Sequence, residues 1–439
     1  MEIIYKIIRR VLSIVYHFCK KVYDKIYNII VPAFYKFMVN YVDYFLVFIR
    51  YKFSRLLIPR KSDEKRIMVL IYHLHNGGAE RVASNICDEL SKKYKVILVT
   101  CDKPTDDDYP CSVPRIVVNE QRAKYLKFYD TTKQIIDLKK EYHITHTISF
   151  TAQMNYLNTM SRVKDTTIIS VRNYISLAEN DNIPKNIYMN KLSIKYADKI
   201  TVVSKVLGND LINNFGAKEN KIYPIYNFVD KDKMNILLKE KDNIKLSKNT
   251  VITVGRLNNQ KGHINLIRSF KYVVDEIKDA KLIILGQGPL EDKIKSEIKK
   301  LHLEKNVKLI GYQKNPYLYM KNSSLFVLSS FYEGMPNVVL EAMYTGLPII
   351  STDCKSGPRE ILAPNSDLGI ELNNASYEEY GVLVPVLSNK KYERIMGDAI
   401  IELLNDSKLS DSYSKKSKKR IKDFSKEKMM EDWNIVLED

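Results

Sequence analysis

From Arg66 onward the chain repeats one pattern: a short apolar run, a stretch of helical period, then another apolar run. Buried parallel strands read as near-continuous apolar runs, and parallel neighbours need a long crossover, usually a helix. The repeat therefore predicts parallel α/β sheets. The expected strands of a first half are Ile67–Tyr72, Val96–Thr100, Thr145–Phe150, Thr167–Val171, Lys199–Val203 and Ile222–Tyr226. Residues 231–248 are polar, Lys-rich and without period, so they read as a linker. A second half restarts at Val251–Gly255 and continues through Lys281–Leu285, Val307–Ile310, Leu325–Leu328 and Pro348–Ser351, with Val382–Val384 as a late strand. Helices are expected from Ala79 to about Lys92, from about His263, over Ile395–Leu404, and at the end of the chain, where Phe424, Met429, Trp433 and Val436 mark an apolar face. At 439 residues the chain accommodates two such units and a tail, at roughly 150 residues per domain. The expected division is 61–230, 231–410 and 411–439, the last packing back on the first unit.

Residues 1–60 are a different material. They hold no glycine, and they carry eleven Lys and Arg against Glu2, Asp24 and Asp43. Ile4, Ile8, Val11, Val15, Phe18, Val22, Ile26 and Ile29 recur at helical spacing, while Lys6, Arg9, Arg10, Lys20 and Lys21 form a basic stripe. No small-residue cleavage site follows, which argues against a signal peptide. Lys36 and Asp43 each oppose insertion by about 2.5–3.5 kcal/mol near a bilayer centre, offsetting the apolar gain of the window 26–49. An amphipathic pair of helices lying on an anionic membrane surface fits better than a spanning helix. Packing on the protein or on a partner is the competing reading. The first expected strand starts only at Ile67, so removal of residues 1–60 is expected to leave a folded protein.

The net charge is +18, which points to an anionic partner. No nucleic-acid motif accompanies the charge, so nucleic acid is not the expected partner. The five cysteines, Cys19, Cys87, Cys101, Cys111 and Cys354, form no CxxC pair and no zinc spacing, and read as reduced thiols. Asp106-Asp107-Asp108 has no further ligand near it in sequence, and no metal is expected.

Three motifs could carry chemistry. Glu333-Gly334-Met335-Pro336-Asn337-Val338-Val339-Leu340-Glu341 lies between a strand and a helix starting near Pro336. Such a helix start leaves unpaired N–H groups and a positive dipole end, suited to an anion or to sugar hydroxyls. The two carboxylates are a little over two turns apart, too far for one acid–base pair but suited to gripping two parts of a long ligand. Arg256 and Lys261, with Gly255 and Gly262, follow a strand end where doubly wound sheets bind ligands, and could clamp a diphosphate. Asn76-Gly77-Gly78-Ala79-Glu80 would let backbone approach a phosphate. Neither half carries a complete G-x-G-x-x-G fingerprint, which argues against a nicotinamide enzyme.

These motifs, in this order, resemble the family-4 retaining glycosyltransferases of the GT-B fold, over roughly Arg66 to Glu438. Glu333–Glu341 looks like the family's E-x7-E motif. Ala342-Met343, Gly346-Leu347-Pro348, Ser351-Thr352-Asp353-Cys354 and Gly357-Pro358-Arg359-Glu360 resemble its bacterial polysaccharide branch. The resemblance implies two Rossmann-like domains facing a central cleft. It implies that Arg256 and Lys261 hold the donor diphosphate, that Glu341 binds ribose, and that Glu333 holds hydroxyls of the transferred sugar, helped by backbone amides around Met335 to Val338, the stretch that also holds Pro336 and Asn337. Gly77 and Gly78 would approach the diphosphate from the other domain, and Tyr312 would stand beside the base. Ser170-Val171-Arg172-Asn173 resembles the branch's S-E-R-N with Val in place of Glu, which makes Arg172 a candidate for the acceptor side. His146 lies inside its strand and receives no catalytic role.

The expected activity is transfer of a hexose or N-acetylhexosamine from a nucleotide sugar, UDP-linked in this branch, to a lipid-linked or polysaccharide acceptor. The nucleotide sugar is a substrate, and no cofactor or metal is implied. The expected place is the cytoplasmic face of the cell membrane, held peripherally. A nucleotide-sugar epimerase on the same architecture and a non-enzymatic basic binding module are the competing classes.

Overall fold

A computed structural model describes residues 9–15, 47, 49, 64–75, 77–118, 127–178, 184–241 and 244–438. Most of the expected N-terminal helical segment, and Asn76 of the glycine loop, therefore lie outside the described residues.

The first unit is a seven-stranded sheet built from β1 (Arg66–Leu70), β2 (Lys95–Thr100), β3 (Arg115–Val117), β4 (His146–Phe150), β5 (Thr166–Val171), β6 (Lys199–Val202) and β7 (Ile222–Pro224). Its order is β3-β2-β1-β4-β5-β6-β7, and every pairing is parallel. The second unit holds β8 (Thr250–Val254), β9 (Lys281–Leu285), β10 (Val307–Gly311), β11 (Leu325–Leu328), β12 (Ile349–Thr352), β13 (Ser376–Tyr377) and β14 (Val382–Val384). Its order is β10-β9-β8-β11-β12-β14-β13, antiparallel only between β13 and β14. In each sheet the winding reverses beside the first strand, between β1 and β4 and between β8 and β11. Ligands of open α/β sheets bind at such switch points, outside the carboxyl ends of the strands.

The strands form where buried branched side chains run together. Ile67, Met68, Val69 and Leu70 of β1 are fully buried, as are Leu282, Ile284 and Leu285 of β9 within a percent. The helix Gly78–Ser91 buries Val82, Ala83, Ile86, Cys87 and Leu90 against the first sheet, the i, i+4 stripe of an amphipathic helix. One apolar cluster crosses between the units, joining Val171, Val202 and Val203 of the first to Met335, Val339 and Ile361 of the second.

The final helix, Lys426–Glu438, returns to the first unit. Met429, Trp433, Val436 and Leu437 pack with Ile67, Val69 and Ile86. Lys65 and Lys199 donate to the carbonyls of Leu437 and Val436 at 2.8 and 2.7 Å, satisfying acceptors of its last turn.

The structure corrects several expectations. Residues 231–248 are not all linker, because Lys231–Leu237 is a helix capped by Asp230. Pro336 is the residue before the helix Asn337–Thr345 rather than its first turn, with ψ at 97°. Two short strands, β3 and β13, were not expected. Val47 is fully buried with Met68, Leu70 and Val99, so residues 1–60 are not wholly separable from the first core. The described helical residues 9–15 leave Val11, Ile14 and Val15 largely exposed. No described helix is long and apolar enough to cross a membrane.

Candidate functional site

The turn after β8 and the loop after β11 are stitched together. Asn258 caps the one-turn helix Asn259–Lys261, and Gly262 follows with φ at 63°. A Cβ on Gly262 would lie 2.1 Å from the Ser329 carbonyl oxygen, so only glycine permits both the conformation and the approach. Ser329 Oγ donates to the Lys261 carbonyl at 2.8 Å, and Phe331 N donates to that of Gln260 at 2.8 Å. This sewing brings Lys261 to Glu333. Lys261 Nζ lies 2.6 Å from Glu333 Oε1, which also accepts from Ser330 Oγ at 2.6 Å. Arg256 leaves the same strand end, is exposed, and has no side-chain bond among the described residues.

Glu333 is buried, and its loop leads into the helix Asn337–Thr345, whose N-terminus no side chain caps. The N–H groups of Asn337 and Val338 therefore stand at a positive helix end beside the Lys261–Glu333 pair. Met335 is different. Its side chain is core, and its carbonyl accepts from Asn227 Nδ2 at 3.1 Å. Tyr312, after the turn at Gly311 (φ 82°), is exposed.

The first unit supplies the opposing wall. Gly77 precedes the helix Gly78–Ser91 in extended conformation and lends it no side-chain cap. A Cβ on Gly78 would stand 3.4 Å from Asn337 Nδ2, so the glycine loop faces the start of the opposite helix. A Cβ on Gly77 would meet Glu80 Oε2 at 1.8 Å, so this first-turn carboxylate lies over the loop backbone. Arg81, one residue beyond the predicted glycine motif, reaches across the cleft. Its Nη2 lies 2.5 Å from Glu341 Oε1, and its Nη1 lies 3.5 Å from Tyr317 Oη. The charge of Glu341 raises the guanidinium pKa further above its ordinary value.

Arg172 is tied into the seam between the units. It bonds to Asn227 Oδ1 and lies over the Phe150 ring, and burial lowers its pKa to about 10. A Cβ on Gly334 would sit 1.9 Å from the Arg172 carbonyl oxygen, so the loop bearing Glu333 rests directly on Arg172 backbone. Glu360 completes the seam. Its carboxylate accepts from Lys205 N and Val206 N at 2.8 and 3.1 Å, capping the helix Lys205–Phe215 of the opposite unit, and from Tyr226 Oη at 2.8 Å.

The other candidates fall elsewhere. His146 opens β4, at the strand end away from the cleft, and burial pulls its pKa to about 4. Asp108 accepts from Arg115 and His75, and among the described residues no three or more His, Cys, Asp or Glu cluster as metal ligands would. Burial pushes the Cys354 thiol well up, so it is not a poised nucleophile. Sequence reasoning missed Arg81, Tyr317 and Asn227 and gave Glu360 no role of its own; each has a partner in the opposite unit 108 or more positions away.

Two Rossmann-like units meeting across a cleft, with a Lys–carboxylate pair and an uncapped helix N-terminus at the second switch point, define a protein of the GT-B class. Residues 76–233 match the model of Glycosyltransferase Family 4, and residues 235–420 match that of Glycosyl transferases group 1. The chain belongs to the family-4 glycosyltransferases. It is 31% identical over 382 residues to the N-acetylgalactosamine-N,N'-diacetylbacillosaminyl-diphospho-undecaprenol 4-alpha-N-acetylgalactosaminyltransferase of Campylobacter jejuni, covering 84% of this chain and 98% of that protein. It is 38% identical over 265 residues to an uncharacterized glycosyltransferase of Methanocaldococcus jannaschii, covering 56% of this chain and 65% of that one, just under two thirds of its length. Among solved structures, Anabaena HepE in complex with UDP and glucose superposes with a TM-score of 0.67 at 16% identity, covering 85% of this chain and all of that one.

Proposed function

We propose that this glycosyltransferase moves a hexose or N-acetylhexosamine from a UDP-sugar to a lipid-linked or polysaccharide acceptor in cell-surface glycan synthesis, with retention at the anomeric carbon. The observation that carries the reading is the Lys261–Glu333 pair, 2.6 Å apart beside the uncapped start of the helix Asn337–Thr345. A cation and a buried carboxylate ahead of an uncapped helix suit the phosphate and hydroxyl groups of a nucleotide sugar. The name of the Campylobacter relative, whose substrate is a sugar on diphospho-undecaprenol, supports an acceptor of that class.

In this reading Arg256 and Lys261 hold the donor diphosphate, and the amides of Asn337 and Val338 add positive potential. Glu333 accepts from hydroxyls of the transferred sugar, Glu341 from the ribose, and Tyr312 stands by the base. Gly77 and Gly78 close on the diphosphate, and Arg172 supports the acceptor side. The bond from the anomeric carbon to the phosphate oxygen breaks as the acceptor oxygen bonds from the same face. The acceptor proton passes to the departing phosphate, and the nucleoside diphosphate leaves. Positioning and leaving-group electrostatics supply the catalysis, with basic side chains and a helix end in place of a metal.

The test is a mass-spectrometric donor screen with extracted lipid-linked acceptors, a chelator arm, and nuclear magnetic resonance of the product's anomeric centre. An inverted product would end the retaining mechanism. Conversion of donor without acceptor would favour an epimerase instead.

A further inference from the structure

One ion pair spanning the cleft joins Arg81 and Glu341, residues of different units. Arg81 lies in the first turn of the helix that follows the glycine loop, and Glu341 lies in the helix that follows the Glu333 loop. The Glu341 side chain is 8% exposed, and Arg81 is its one ionic partner among the described residues. Arg81 engages Oε1, while Oε2 has no bond among the described residues. A carboxylate offers about four lone-pair sites, and a ribose diol needs two. One arginine bond and a diol can therefore share the group. Without Arg81 the buried carboxylate would turn freely about its last torsion and would carry an uncompensated charge.

We propose that Arg81 is a positioning residue for ribose, holding Glu341 from the opposite unit so that its second oxygen meets the sugar diol of a nucleoside diphosphate. The inference rests on the reading of Glu341 as the ribose ligand. It adds that ribose recognition is complete only when both units are together. A different role is open to the same geometry: Arg81 could occupy a seat that ribose must take from it. The two roles have opposite consequences. Removing a competitor tightens binding, whereas removing a positioning group weakens binding and blurs discrimination against a sugar that lacks one hydroxyl.

The probes are UDP and 2'-deoxy-UDP, titrated calorimetrically into the full-length chain. The wild type is expected to prefer UDP by about tenfold, the scale of one hydrogen bond to a charged group. Arg81→Met keeps an unbranched apolar stem, shorter than arginine, and removes the charge and its donors. It is expected to weaken UDP by about tenfold, to weaken 2'-deoxy-UDP by clearly less, and so to shrink the ratio toward one. Arg81→Lys should fall between, since it keeps charge without the fork. In a Glu341→Ala background, Arg81→Met should add nothing. Tighter UDP binding by Arg81→Met, or an unchanged ratio, overturns the proposal. A wild type without preference for the 2'-hydroxyl removes the ribose role of Glu341 first, and the role of Arg81 with it. Melting curves identify a misfolded variant; if Arg81→Met fails there, Arg81→Lys decides by the same ratio.

Discussion

Lys261 and Arg256 leave the same strand end but stand in different company, and that difference separates their variants. Arg256 is exposed and has no side-chain partner among the described residues. Its replacement by Ala should cost turnover about 2–4 kcal/mol of barrier, the loss of one preorganised contact to the departing diphosphate, with no change in melting. Lys261 carries a second duty, because it neutralises buried Glu333 at 2.6 Å. Lys261→Ala should lose a similar amount of turnover and also melt earlier, since a buried carboxylate is left, among the described residues, with Ser330 alone as a side-chain partner. Steady-state kinetics with the donor found by the screen, beside thermal melting, check both. Near-normal turnover in the two variants would remove the diphosphate clamp, and equal melting would remove the structural duty of Lys261. The sequence made Lys261 and Glu333 legible as types at strand ends. Their direct bond was not legible, because it depends on Gly262 and Ser329 pressing two loops together. Arg81 was out of reach for a similar reason, since nothing local marks an arginine whose partner lies 260 positions away.

The elements that read well are those whose burial is complete. β9, β11 and β14 are delimited by their apolar runs, because both faces of these inner strands are covered. β3 and β13 have three and two residues, too few to show a period, and β3 directly follows a polar loop. The helix Lys231–Leu237 buries only Met234, so its pattern resembles a linker. Contacts between elements are least legible, and Glu360 shows why. A Glu in Gly357-Pro358-Arg359-Glu360 looks like a first-turn acid of its own short helix, yet it caps Lys205–Phe215 in the other unit. Both carboxylate oxygens are used and the residue is buried, so Glu360→Ala opens two backbone donors and one tyrosine hydroxyl at once. The expected loss is about 1–2 kcal/mol of stability, the range of a helix cap with its dipole term. Chemical denaturation should show it as a lower midpoint. A midpoint unchanged from wild type would mean that Ser204, which also caps this helix, suffices.

At the scale of the whole molecule, a buried imidazole, His263, and a half-buried one, His146, set an acid limit. Burial pulls His263 to about 4, and burial with the charges of Lys65 and Lys199 pulls His146 to about 4. In the unfolded chain both titrate near 6.5, so between about 6.5 and about 4 the unfolded state binds more protons. Stability from this source is complete above that window and is lost as the pH falls through it. His263→Gln should flatten the fall of melting temperature across the window, and an unchanged slope would rule the residue out. The ends of the chain raise a different question. The helical residues 9–15 turn Val11, Ile14 and Val15 outward at 52, 63 and 47% exposure, beside exposed Arg9 and Arg10. Val47 is instead sealed among Met68, Leu70 and Val99. One part of the N-terminal segment thus belongs to the first unit, while another presents apolar and basic side chains suited to an anionic interface. Deleting residues 1–15 should leave melting unchanged and weaken binding to vesicles containing anionic lipid. Each basic residue near the surface contributes about 1 kcal/mol, and that part should vanish at high salt while the apolar part persists. Deleting residues 1–60 should lower the melting temperature as well, because burying a Val contributes about 1.5–3 kcal/mol. Vesicle sedimentation with and without anionic lipid, at low and high salt, together with melting of both truncations, decides the matter. Equal vesicle binding by the 1–15 deletion and the intact chain would place the membrane contact elsewhere, and equal melting by the 1–60 deletion would make Val47 dispensable to the core.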